Sequence, residues 1–167
     1  MINRAWTLAA LVGSMAMITA SAPAVAATTA GKSFADWQIR CEPAAGPGQA
    51  SCALVQSVVS DGDSRIGLSV VVVKTADKAR ILRVVAPLGV LLPAGVGLKI
   101  DGADIGSTAF VRCLQNGCIA EVELTDDLVA KLAAGATATF TLLETPAEGV
   151  ALAISLKGFK DGLAALP

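Results

Sequence analysis

Four cysteines, fourteen acidic side chains and no histidine set the chemistry open to this chain. Without histidine there is no Ser-His-Asp or Cys-His nucleophile, no imidazole metal ligand and no side chain that ordinarily titrates near neutral pH. The cysteines fall as two close pairs, Cys41 with Cys52 and Cys113 with Cys118. Spacings of x10 and x4 are not the paired x2 knuckles of tetrathiolate zinc sites, and an exported chain favours oxidation of its thiols. A thiol–disulfide exchange enzyme would want Cys-x-x-Cys in a βαβ pattern, and neither is present. The remaining use is structural. Four cysteines allow three pairings, and spacing alone excludes none of them. Local geometry favours neighbours, because Leu114-Gln115-Asn116-Gly117 contains Asn-Gly, a hairpin signal that would set Cys113 opposite Cys118.

The acids are no more specific. Asp61-Gly62-Asp63 opens like a calcium loop but lacks the later ligands, so it reads as a turn. Asp101-Gly102-Ala103-Asp104 is likewise a turn, and Asp126-Asp127 suits the start of a helix. Paired carboxylates can hydrolyse glycosidic bonds, yet none here stands apart from ordinary solvated acids. Gly31-Lys32-Ser33 imitates the end of a phosphate loop, but the earlier glycine is replaced by Ala26. No catalytic residue, metal ligand or cofactor is expected.

The elements that carry these residues are short. Phe34 to Cys41 alternates at the strand period, with Trp37, Ile39 and Cys41 on one face. Further strands are expected at Ser51–Val59, Ile66–Val73, Ile81–Ala86, Val96–Asp101, Thr108–Cys113, Cys118–Leu124, Thr137–Glu144 and Val150–Leu156. The run Val70–Val73 suggests burial on both faces. One helix is expected near 125–134, capped by Thr125 and ended by Gly135, with Leu128, Val129 and Leu132 on one face. A further helical turn can follow Gly158. The fold class is therefore all-β, an antiparallel sandwich or irregular barrel of eight or nine strands with one short helix. Trp37, Phe34, Phe110, Phe140 and Phe159 are its aromatic core candidates.

The amino terminus has the layout of a secretory signal. Arg4 precedes an apolar run of about 16 residues, shorter than the roughly 20 that a membrane span needs, and Ala24-Val25-Ala26 offers a small-x-small cleavage site. Residues 1–26 are read as a removed signal peptide and residues 27–167 as one disulfide-stabilised β domain, not membrane-spanning once the signal is gone. Removing Arg4 leaves 12 basic against 14 acidic side chains, a net charge of −2. That balance disfavours nucleic acid and anionic lipid as partners.

Across residues 34–166 the ordered pattern resembles the invasion-associated locus B family of Gram-negative bacteria. It comprises Phe34-x-Asp36-Trp37-x3-Cys41, Cys52 with Gln56, Pro87-Leu88-Gly89-Val90-x-Leu92-Pro93-x-Gly95-Val96, Asp101, Cys113-x4-Cys118 and Ser155-Leu156-x-Gly158-Phe159. The resemblance implies a β-rich, exported protein of the periplasm, outer membrane or cell surface, connected with host-cell invasion. It carries over no catalytic residues and no ligand site. The expected action is binding of an unidentified protein or an envelope or host surface component. A periplasmic accessory or small-ligand-binding sandwich with no role in invasion is the alternative. Leu88, Val90, Leu91 and Leu92 form the candidate partner surface, because Pro87, Gly89, Pro93 and Gly95 can hold an apolar loop rigid. The first reading, however, is that the same side chains roof the core, and the partner surface is the alternative to it.

Overall fold

A computed structural model describes residues 31–42, 51–60 and 67–167. Among these, eleven antiparallel strands form two sheets. In chain order the strands are β1 (Ser33–Phe34), β2 (Trp37–Glu42), β3 (Ser51–Val59), β4 (Gly67–Lys74), β5 (Arg80–Ala86), β6 (Val96–Ile100), β7 (Ala103–Thr108), β8 (Phe110–Leu114), β9 (Gly117–Glu123), β10 (Thr137–Leu143) and β11 (Gly149–Ser155). The larger sheet has the order β1-β2-β3-β4-β5-β9-β8 and the smaller β11-β10-β6-β7. They stack as a sandwich, and neither closes into a barrel. The expected turn at Asp61–Asp63, the expected strand start at Ile66 and the expected signal and cleavage site at residues 1–26 fall outside the described residues.

The core follows from strand alternation. Ile39, Leu54, Val70, Val72, Leu82 and Val84 face inward from the large sheet and are buried, opposite Val96, Phe140, Leu142, Leu152 and Ile154 of the small one. Val71 and Val73 are only half-buried. The valine run is thus covered on one face, because an antiparallel sheet can leave its other face to solvent where a parallel sheet cannot. Trp37 is buried as expected. Its ring meets Phe159 edge-on at 5.3 Å between centroids, and its indole nitrogen donates to the Ser155 carbonyl at 2.9 Å. One side chain therefore joins β2 of the large sheet to β11 of the small one.

Two helices flank the sandwich, α1 (Asp126–Ala134) and α2 (Phe159–Ala165). Thr125 caps α1 by accepting from the Leu128 amide, and Leu132 is its buried residue. Gly135 ends the helix through lack of room: a Cβ there would meet Ile100 at 2.6 Å. α2 reaches Leu54 at Gly162, where a Cβ would stand 2.6 Å from a leucine methyl. Gln56 is the buried polar side chain among the described residues, and its amide donates to the Asp36 carbonyl at 3.1 Å, tethering the β1–β2 turn.

Three local expectations differ from the structure. The strand expected from Phe34 to Cys41 is split into β1 and β2, because Ala35 takes a left-handed conformation and folds Phe34 back against Trp37. Strand β7 was not anticipated, since its Gly106-Ser107 lacks apolar alternation. It is paired to β6 by Asp101-Gly102, whose φ values of 49° and 85° match a two-residue type I′ hairpin. In the β8–β9 hairpin, Leu114 pairs with Gly117, so Gln115-Asn116 make the turn instead of Asn116-Gly117. Gly117 is needed for a different reason: any Cβ would run into the Ala86 carbonyl.

Candidate functional site

The segment Pro87–Gly95 does not act as one surface. A short 3-10 turn over Leu92–Ala94 divides it. Val90 packs against the core and Leu91 is half-buried, with its amide donating to the Leu143 carbonyl at 2.6 Å. Leu88 and Leu92 point outward, 57% and 47% exposed. Gly95, at φ 67°, lets the chain leave the turn and lie so close to Thr108 that a side chain would strike its carbonyl. Val90 and Leu91 thus drop out of the candidate surface, while Leu88 and Leu92 remain.

They are joined by residues that the sequence did not single out. Val59, Val111 and Leu114 complete the set of large apolar side chains exposed among the described residues. Strand register brings Val59 and Leu114 to the end of the sandwich where Ala86 leads into Leu88, while Leu92 and Val111 lie on the flank next to it. Val58 lies opposite Leu68, Ser69 opposite Val85, Ala86 opposite Cys118, and Cys118 opposite Cys113. Val59, Pro87 and Asn116 border one shared hollow. The Leu92–Ala94 turn is held beside Ala109, which leads into β8 and Val111. No local pattern announces this grouping. Val111 and Leu114 read as ordinary strand residues; the position of β8 at the sheet edge leaves them uncovered, and Val111 also falls at the irregularity between Phe110 and Arg112.

A disulfide between Cys113 and Cys118 closes the hairpin at this apolar end. The other, Cys41–Cys52, joins β2 to β3 at the opposite end. That second end is polar and internally paired. Arg80 meets Asp126 at 2.5 Å, Lys131 meets Asp127 at 2.7 Å, and the Lys74 ammonium donates to the Leu166 carbonyl. The Thr75 hydroxyl beside Asp77 holds that carboxyl below its usual range. Asp101 is occupied as well, accepting from the amides of Ala136 and Thr137 at 2.9–3.1 Å. On the outer face of the large sheet, Arg83 and Glu121 pair at 2.7 Å. These acids serve structure, and no group of three metal-ligating side chains occurs among the described residues. No helix among them is long and apolar enough to cross a membrane.

Comparison with known proteins agrees with this architecture. Residues 37–167 match the family model described as invasion associated locus B (IalB) protein. The chain is 30% identical over 163 residues to an invasion protein B homolog of Brucella abortus (strain 2308), covering 97% of this chain and 92% of the relative. A homolog from Brucella abortus biovar 1 (strain 9-941) matches to the same extent. Among solved structures, the crystal structure of invasion associated protein B from Bartonella henselae superposes with a TM-score of 0.67 at 25% identity, over 80% of this chain and 91% of that one. The family model spans β2 to the end of the chain, and the chain belongs to the invasion associated locus B family.

Proposed function

We propose that the protein is exported after removal of residues 1–26 and acts in the cell envelope or at its surface by binding another protein through the apolar end. The observation that carries this reading is the exposure of Val59, Leu88 and Leu114 at one end of the sandwich, with Leu92 and Val111 exposed on the adjoining flank. Single exposed apolar residues are ordinary on a protein surface, whereas a grouped set marks a contact surface. Each side chain is about half exposed and so forgoes about 1 kcal/mol relative to full burial, which a partner would recover on docking. The surface is also preformed: the disulfide, Gly95 and the Leu92–Ala94 turn fix its backbone, so little ordering entropy is lost on binding. A role in invasion is consistent with the names of the relatives. No covalent chemistry is assigned to the domain.

The reading is tested by affinity capture with the oxidised protein against envelope extract and against host-cell membrane, using the paired substitutions Leu88→Asp and Leu114→Asp. The expected result is a specific partner retained by the wild type and lost by the variant, with the thermal transition unchanged. Capture of the same partner by both forms would remove the apolar end as the binding surface. Export is checked separately, by finding Ala27 at the mature amino terminus.

A further inference from the structure

Behind the edge strand β7 the two sheets part and leave a cavity of about 150 Å³ between them. Leu82, Val84 and Ala120 form its wall on the large sheet, Leu98 and Phe140 its wall on the small one, and Leu128 of α1 closes a side. Protein interiors seldom contain voids much larger than a water molecule. This one has three features that set it apart from a packing fault.

The first is the step in the wall. Ala120 is fully buried beside Val84 in the same row of the sheet, and its single methyl is what leaves the space open. The second is the mouth. Leu98 pairs with Gly106 and Lys99 with Asp104, so Ile105 is an extra residue in β7, and such a bulge re-aims side chains. Ile105 borders the cavity, while Gly106 beside it, at φ 134°, has no atom within 4 Å of where a Cβ would stand. The third is polarity. The polar groups, Ser107 and Thr108, come from β7 at the mouth, and the Thr108 hydroxyl is already used, donating to the Glu121 carbonyl at 3.0 Å. A ligand would therefore meet hydrocarbon inside and polar groups at the opening. A cavity of similar volume lined by Leu, Ile and Phe stays dry and takes up benzene.

We propose that this cavity binds the terminal hydrocarbon of one acyl chain, which passes Gly106 and leaves its polar head in solvent near Ser107. The volume suits a few carbons only, so the chain is held by its end. The site is independent of the partner-binding end and stands or falls without it.

The probe is decanoate, titrated into the oxidised protein with isotope-labelled methyl groups and followed by NMR. The expected result is a saturable shift of the Ile105 and Leu128 methyl signals while those of Val59 and Leu88 stay fixed. Ala120→Leu, which fills the space, should weaken binding at least tenfold with the thermal transition held or raised. Leu98→Phe fills the same space from the other sheet and serves if the first variant does not fold. Phosphatidylglycerol vesicles form the second arm: shifts of the same methyl groups would identify a phospholipid chain as a source, and shifts with decanoate alone a free fatty acid. No shift at Ile105 and Leu128 with either probe, shifts confined to Val59 and Leu88, or wild-type affinity in the filled variants would each overturn the proposal.

Discussion

The two ends of the sandwich solve the same problem in opposite ways. Both must finish strands, and both carry a disulfide. At the Cys41–Cys52 end the chain pairs its own polar groups: Arg80 with Asp126, Thr75 with Asp77, and Lys74 with the last turn of the chain at Leu166. At the Cys113–Cys118 end the backbone is held as firmly, yet Val59, Leu88 and Leu114, with Leu92 and Val111 on the adjoining flank, are left in water. Rigidity at the first end completes the fold. At the second it presents a surface. The difference teaches that disulfide position alone does not mark a functional region; what matters is whether the side chains it fixes find partners within the chain.

The largest expected effect breaks the flank that leads to the closed end. Phe159→Ala removes the ring that packs on Trp37 and anchors α2, and should cost about 3–5 kcal/mol, lowering the melting temperature by about 10 °C or more. Calorimetry measures it. Next come the disulfides. From the sequence separations of 11 and 5, replacing both cysteines by serine should cost about 3 kcal/mol for Cys41–Cys52 and about 2 kcal/mol for Cys113–Cys118. Urea titration reads the difference. The Cys113–Cys118 change should also weaken partner capture, whereas the Cys41–Cys52 change should leave it intact at temperatures where the protein is folded.

The apolar pair should behave in the reverse manner. Leu88→Asp with Leu114→Asp is expected to move stability by no more than about 0.5 kcal/mol, since both side chains are exposed. Its effect on binding should be about 30-fold, corresponding to about 2 kcal/mol at a contact centre. The smallest effect lies at the polar end. Asp77 is held below its usual range by the Thr75 hydroxyl, so its contribution is complete above the unfolded carboxyl pKa and is lost as pH falls through the lower folded value. Asp77→Asn should therefore flatten the acid limb of the stability profile slightly and leave neutral pH nearly unchanged. Thermal melts from pH 2 to pH 7 check it.

How much of this was legible in the residues depends on the range of the interactions. The sandwich, the Thr125-capped helix and the buried Trp37 all rest on local period and capping, and the structure shows each. Strand β7 escaped because Gly106 and Ser107 carry no apolar alternation. Its pairing is set by the Asp101-Gly102 turn instead. Two of the five residues of the proposed surface, Leu88 and Leu92, were already among the sequence candidates. The other three, Val59, Val111 and Leu114, depend on which strand becomes an edge and which strand ends meet, and those are properties of the assembled sheet. Val90 and Leu91 follow the other reading of that segment, roofing the core, with the Leu91 amide tied to Leu143 across the loop.

The most direct test of the contrast is photo-crosslinking in intact bacteria, with benzoylphenylalanine placed at Leu88, at Val111 and, for the polar end, at Lys78. The expected result is one shared crosslinked species from Leu88 and Val111 and none from Lys78, whose turn faces away at the other end. Equal crosslinking from all three positions, or a species from Lys78 alone, would contradict the assignment of the apolar end as the working surface.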